Sequence, residues 1–433
     1  MVGSSSRIVA ISMTMSPIGP NPVETRARSG FANWLSGTND LTSRFVAAGR
    51  VPGLINIAGG LPAPETFPVE ELASLSEAAV REFPQDSLGY GPTDGLPELR
   101  DAIAARFSRG SLRLDRSNVL ITAGGTQALE LIGKVLLEAG GIVAGEFPMY
   151  AGALDAWRPR QPAYRRITLE AGNIDFLSSG AQFVYSVPNF SNPTGKLVGL
   201  DARRVLVAAA HRAGIWLVED DPYGSLYYDT EPLPRLIELS AALSGGTNYR
   251  GPVVYLGTLS KELVPGLRVA WLVGSPDIVD ALKSAKQSAD LCSNGIAQRI
   301  AFAAMQSGLI ERLRPQVLSL YRERRDVLAA AMYEHLYDWF EWEVPVGGMF
   351  IWAVARDRSL DTDSLVSAAL DAGVLVGPGS VFDPLGQDRS SIRLNFTLNS
   401  PDRLQEAVRR LGTALRTLSI SSSRDCRRSS GAA

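Results

Sequence analysis

The sequence predicts an α/β protein: a large domain on a mostly parallel, doubly wound sheet, and a smaller α+β domain. Three observations carry this. Between positions 119 and 272, short apolar runs of strand length alternate with helix-like segments. Crossover-length connections separate most of those runs, as parallel neighbours require. From about Gln298 the rhythm changes to long helices, followed by strand-like runs at 340–344 and 348–354 and a third at 391–396.

Composition narrows the function before any motif is read. The chain has 433 residues, 45% hydrophobic and 20% charged, which is ordinary for a water-soluble chain with room for two domains. A formal net charge of -2 gives no electrostatic reason to expect nucleic acid or an anionic membrane as partner. The apolar run at 8–15 is broken by Ser12 and Thr14 and is too short to span a bilayer. Two cysteines, Cys292 and Cys426, make no disulfide framework, so a reducing cytoplasm is the expected location. With only His211 and His335 beside them, no metal site and no Cys–His or Ser–His catalysis is expected.

In chain order, residues 1–30 are rich in Ser, Pro and Gly and read as a loose arm, too poor in helix pattern for a DNA-binding domain. Gly59-Gly60-Leu61-Pro62 reads as a sharp turn or a close approach of backbone to ligand. Pro68 opens a helix with Val69, Leu72, Ala79 and Phe83 on one face. The loop 89–95 has a single large side chain, Tyr90, and leads into a helix carrying Leu96, Leu99, Ile103 and Phe107. The strand 119–122 runs into Ala123-Gly124-Gly125-Thr126 and then a helix. Free N–H groups at that helix start make an anion site, although such turns also occur without one. Strands come next at 183–187 and 215–219, with a helix at 201–212 closed by Gly214. Ligands of such sheets sit beyond the carboxyl ends of the strands. There the sequence puts Asn189 and Asn192, then Asp220 and Tyr223, then Ser260 and Lys261. Helix patterns at 363–372 and 401–418 lead to a tail over 419–433, polar from Ser421 onward and expected to be disordered.

The most informative stretch is Thr258-Leu259-Ser260-Lys261, with Arg268 seven residues after the lysine, between strand-like runs at 253–256 and 269–272. A lysine held between buried strands is poorly solvated, so its amine can act as a nucleophile or form a Schiff base. An arginine nearby can grip a phosphate with a two-pronged fork, and the hydroxyls of Thr258 and Ser260 add donors. Together they suggest an aldehyde cofactor bearing a phosphate, pyridoxal phosphate. A loop with a solvated lysine and arginine is the alternative on this stretch alone.

Taken together, Gly59 to Pro62, Tyr90-Gly91-Pro92, Gly124 to Gln127, Val187-Pro188-Asn189 with Asn192-Pro193-Thr194-Gly195, Glu219 to Tyr223, Ser260-Lys261 with Gly266-Leu267-Arg268, Gly348-Met349-Phe350 and Arg393 resemble the fold-type-I pyridoxal-phosphate aminotransferases of the aspartate aminotransferase superfamily. The resemblance covers 55–418. It is closest to the branch containing kynurenine and α-aminoadipate aminotransferases and the aminotransferase halves of fused transcription regulators.

The resemblance implies a division into 31–84 as the start of a small domain, 85–320 as the large cofactor domain and 321–418 as the rest of the small one. It also implies roles. Lys261 holds the cofactor and moves a proton; Asp220 pairs with its ring nitrogen. Asp221 competes for that place, and either aspartate can instead be a cap or turn residue. Tyr223 and Asn192 bond the ring oxygen, although Asn192-Pro193 is also an ordinary turn dipeptide. Tyr150 stacks on the ring. Gly125, Thr126, Thr258, Ser260 and Arg268 bind the phosphate. Tyr90 reaches the phosphate of a neighbouring subunit, so that a homodimer shares its active sites. Arg393, together with Gly60 and Asn192, meets the substrate, with Arg393 on its carboxylate.

The phosphate turn departs from many relatives, with Ala123 and Gly125 where serines are usual. The connection from Tyr223 to Lys261 is also longer, with Ser244-Gly245-Gly246 in it. The implied activity is transfer of an amino group between an L-amino acid and a 2-oxo acid through pyridoxamine phosphate. The alternatives are elimination, replacement, cyclisation, decarboxylation or oxidation on the same cofactor, or a ligand-sensing regulatory module.

Overall fold

The computed structural model describes residues 30–37, 51–169, 176 and 179–429, without the side chains of 419–429. The arm expected over 1–30 therefore lies, but for Gly30, outside the described residues. The described residues 30–37 belong to a unit of their own, in which Asn33–Gly37 is a 3-10 turn. All the strands belong to the unit that begins at Thr38.

Among the described residues, thirteen strands fall in three sheets. In chain order they are β1 (Ile55–Asn56), β2 (Val119–Thr122), β3 (Ile142–Gly145), β4 (Ala163–Arg166), β5 (Phe183–Ser186), β6 (Trp216–Asp220), β7 (Val253–Thr258) and β8 (Ala270–Val273), then β9 (Phe340–Trp342), β10 (Phe350–Ala355), β11 (Val374–Leu375), β12 (Gly377–Pro378) and β13 (Ser391–Asn395). The large sheet runs β2-β8-β7-β6-β5-β3-β4. Its neighbours are parallel except around β8, which is antiparallel to both β2 and β7. The segment from Leu259 to Val269 is too short for a helical crossover, so β8 must return alongside β7.

The sheet is wound on both faces because its central strands are apolar on both sides. Val218, Leu256 and Leu272 point into a core with Leu129, Ile132 and Trp157. Their neighbours Leu217, Tyr255 and Trp271 point the other way, to Ile103, Leu206 and Ile237. Each fully buried leucine or aromatic there contributes about 1.5–3 kcal/mol. The α/β class with a mostly parallel, doubly wound sheet is thus as expected.

The second sheet, β12-β13-β10-β9, is antiparallel, and the helices Leu309–His335 and Pro401–Ser429 pack on each other beside it. A two-stranded parallel pair, β1 with β11, ties the chain near residue 55 to this later part.

Two of the departures from the sequence reading have a clear physical cause. Strands β3 and β4 were not expected: β3 has only three apolar residues before its glycine, too short a run to read as a strand, and β4 is an exposed edge carrying Arg165 and Arg166. The last helix also runs on to Ser429, into the stretch expected to be a disordered tail. No proline or glycine stands between Gly412 and Gly431 to stop it.

Candidate active site

A pocket of about 230 Å³ opens where β5, β6 and β7 end and the helix after β2 begins. It is lined by Gly60, Gly125, Thr126, Tyr150, Asn192, Asp220, Tyr223, Thr258, Ser260, Lys261, Arg268 and Arg393. Tyr90 does not line it; that side chain is 90% exposed in the single chain.

Lys261 comes after β7 and is aimed inward by its own turn. The Ser260 N–H donates to Thr258 Oγ1 at 3.1 Å, and the Thr258 hydroxyl reaches the Val269 carbonyl at 3.2 Å. Lys261 Nζ donates to the Gly60 carbonyl at 2.6 Å. Burial, helped by Arg393 and Arg268, pushes the amine down to about 8.

Arg268 has a left-handed backbone, φ 54°, and its guanidinium lies against Gly124, φ +93°. A Cβ at Gly124 would land on that guanidinium. The glycine turn and the arginine, far apart in sequence, therefore close on one spot, at the N-terminus of the helix Gly125–Leu136.

Strand alternation separates the aspartates. Asp220 faces the pocket and accepts a hydrogen bond from the Tyr185 hydroxyl at 2.7 Å. Burial, with a smaller push from Asp221, raises its carboxyl to about 7 against that hydrogen bond. Asp221 lies on the opposite side, where it accepts from Asn189 at 2.8 Å and Tyr255 at 3.1 Å and pairs with Arg235 at 3.3 Å. Glu219 shares that side and accepts the amides of Leu236 and Ile237 at the start of the helix Leu236–Ser244. Of the two aspartates, only Asp220 lines the pocket.

Across the pocket, Asn192 uses both ends of its amide. Its Nδ2 donates to the Tyr223 oxygen at 3.3 Å, and its Oδ1 accepts from Arg393 Nη1 at 2.6 Å. Since arginine only donates, the amide orientation is fixed. The Arg393 guanidinium sits between the rings of Phe350 and Phe382, 4.3 and 4.5 Å from their centroids, and also donates to the Ala58 carbonyl. Burial pushes it down to about 10. Burial likewise raises the hydroxyls of Tyr223 and Tyr150.

Gly60 has a packing reason as well as a place in the wall: a Cβ there would lie 2.6 Å from Phe350 Cζ. The turn before it is held by Asn56, whose side chain accepts the amides of Ala58 and Gly59 at 3.0 and 3.1 Å. Sequence reasoning missed Tyr185 and Phe382. Tyr185 sits in an apolar strand and reads as core; its signal is that it shares a sheet position with Val218, two residues before Asp220. Phe382 carries no motif, and packing alone reveals it. Among the described residues no group of three or more His, Cys, Asp or Glu could hold a metal ion, and no helix is long and apolar enough to cross a membrane.

Comparison with known proteins now adds to this geometry. Residues 66–411 match the family model for aminotransferase class I and II. The chain is 37% identical to the 2-aminoadipate transaminase of Thermus thermophilus over 85% of this chain and 91% of that one. It is 34% identical to aromatic-amino-acid aminotransferase 1 of Thermococcus litoralis, over 84% and 88%. Among solved structures, the kynurenine aminotransferase of Pyrococcus horikoshii superposes with a TM-score of 0.80 at 33% identity, covering 89% of this chain and 97% of that one. The pocket thus lies in a chain that belongs to the class I and II aminotransferases, pyridoxal-phosphate enzymes of fold type I.

Proposed function

We propose that Lys261 and Asp220 carry the chemistry of this aminotransferase, in a cytoplasmic homodimer that exchanges amino groups between an L-amino acid and a 2-oxo acid. The observation behind this is the charge pattern of the pocket: among the described residues, Lys261, Arg268 and Arg393 surround a single lining carboxylate, Asp220. A wall of three cations and a glycine turn asks for an anionic ligand, and a buried carboxylate that, among the described residues, takes a side-chain hydrogen bond only from a tyrosine hydroxyl asks for one N–H. Pyridoxal phosphate has both.

Gly125, Thr126, Thr258, Ser260 and Arg268 would hold its phosphate, Tyr150 its face, Asp220 its ring nitrogen, and Asn192 and Tyr223 its ring oxygen. When bound, the cofactor supplies an aldehyde that captures an amine and a ring that draws electrons from the adjoining carbon.

The protein's part is set by the groups in place. With its amine pulled down to about 8, Lys261 loses its proton far more readily than an ordinary lysine and can take and return the proton at the substrate Cα. Arg393, fixed between two rings and by Asn192, presents the fork that holds the substrate carboxylate. Gly60, whose carbonyl already holds the lysine amine, closes the substrate side. The exposed ring of Tyr90 supports a place in the neighbouring subunit's pocket. The proposed division is 85–320 for the large domain, with 31–84 and 321–418 together forming the small one.

The test is the visible spectrum of the purified protein with cofactor, while amino acids are added singly. Loss of the cofactor's visible band, and its return with a 2-oxo acid, would establish transamination and name a donor. Ammonia release without transfer to the oxo acid would instead point to elimination. A band unchanged by the substitution Lys261→Ala would remove Lys261 from its role.

A further inference from the structure

Lys286 is fully buried near the end of the helix Pro276–Gln287 and takes no part in the pocket. Its Nζ donates to Asp290 Oδ1 at 2.7 Å. The second oxygen of Asp290 accepts from Gln127 Nε2 at 2.7 Å. The remaining end of Gln127, Oε1, accepts the N–H of Ala123, also at 2.7 Å. A continuous chain of bonds thus runs from a buried ammonium to the backbone of the glycine turn.

The geometry at the turn end is specific. The first amides of a helix have no acceptor within it. Gln127, in the first turn of Gly125–Leu136, folds back to take the amide of Ala123, just before the helix. That fixes the backbone immediately before Gly125 and Thr126. At the other end, the Asp290 amide donates to the Lys286 carbonyl at 3.1 Å, so the acid is held by backbone as well as by charge. The charges also matter. An aspartate two bonds from a phosphate-binding turn would repel that phosphate, and Lys286 beside it neutralises the acid.

We propose that Lys286, Asp290 and Gln127 are positioning residues that set the Ala123–Thr126 turn for the cofactor phosphate and cancel the acid's charge beside it. The proposal rests on the phosphate site read above.

The test compares binding of pyridoxal phosphate with binding of pyridoxal, which lacks the phosphate, to the cofactor-free protein. Gln127→Met should weaken pyridoxal phosphate about tenfold while changing pyridoxal less than about twofold. Lys286→Met, which leaves the aspartate charge exposed to the turn, should weaken pyridoxal phosphate at least as much. The double variant Lys286→Met with Asp290→Asn should regain most of that loss, because neutrality returns although a bond is missing. Melting curves establish that each variant is folded. If Gln127→Met does not fold, the Lys286 pair reads the same question. Equal weakening of both ligands, or no rescue by the double variant, overturns the relay. A wild-type protein that binds the two ligands equally well overturns the phosphate reading itself.

Discussion

The two sides of the sheet at the end of β6 hold three acidic residues in a row, and they fare differently. Glu219 and Asp221, on the helix side, are fully engaged. One takes two backbone amides, and the other takes Asn189, Tyr255 and Arg235, whose guanidinium lies over the rings of Phe107 and Tyr255. Asp220, on the pocket side, receives one phenol. The chemical difference is small, since all three are carboxylates on consecutive residues and Glu219 is longer than the two aspartates by one methylene. What differs is which face the strand turns them to, and whether the fold has finished their bonding. A buried acid that the fold completes is a structural part. One that the fold leaves short of donors is open to a ligand's donor.

The strongest way to break that comparison is to remove the group that the pocket acid serves alongside. Lys261→Ala should lower turnover by on the order of 10⁴-fold or more, because nucleophile and proton carrier go together. Steady-state rates with saturating cofactor would show it, and a loss of under about tenfold would be fatal to the assignment.

Next in size is Asp220→Asn, expected to cost on the order of 10³-fold in turnover while the cofactor still binds. The same variant has an opposite signature in stability. The folded carboxyl titrates at about 7, above its ordinary value near 3.9. Between those values the folded state carries the proton and the unfolded chain does not. Cofactor-free wild type therefore loses stability as pH rises from about 4 to about 7, and then levels. Glu219, pushed up to about 8 by burial, gives a slope of the same sign, so the comparison must be variant against wild type. Asp220→Asn should be the more stable above pH 7, with the gap closing towards pH 4. Denaturation midpoints across that range would decide it.

Asp221→Asn sharpens the comparison from the other side. It removes the charge facing Arg235, whose guanidinium pairs with Asp221 and Glu238. Breaking a buried pair from one side should cost about 3 kcal/mol of stability. Turnover per folded molecule should fall far less than in Asp220→Asn. If the two variants exchanged these signatures, the face assignment would be reversed.

How much of the molecule is legible in sequence depends on where the information lies along the chain. Lys261, Arg268, Asn192 and Tyr223 were readable because each sits in a short run, just past a recognisable apolar strand. The sheet was readable where strands are buried on both faces, and unreadable at β3 and β4, where a glycine end and an arginine-bearing edge erase the pattern. Between Asp220 and Asp221 the decision turns in space on strand phase, which a residue at a strand end leaves undecided in sequence. Phe382 and the Gln127–Asp290 bond were out of reach, since each depends on segments brought together by folding. Tyr90 was readable as a large side chain in a polar loop, yet a single chain leaves it far from completing any site.

The smallest expected effect tests the hydrogen bond that Tyr185 gives Asp220. Tyr185 lies on β5 beside β6, with Trp157 edge-on to its ring at 5.1 Å, so the phenol is held where it is. Its hydroxyl favours the charged acid, opposing the burial that disfavours it. Tyr185→Phe keeps the ring and removes that donor, a change of about 1 kcal/mol. The acid should then hold its proton to higher pH in the cofactor-free protein, by somewhat under one pH unit. With the cofactor's ring nitrogen as the proposed chief partner of Asp220 in the complete enzyme, turnover should fall by only about threefold to tenfold, with the acidic limb of the pH–rate profile moved upward. The shift in the limb is the decisive reading. A variant that merely loosened the core would lower the whole profile without moving it, and Tyr185 would then belong with the packing of Trp157 rather than with the acid.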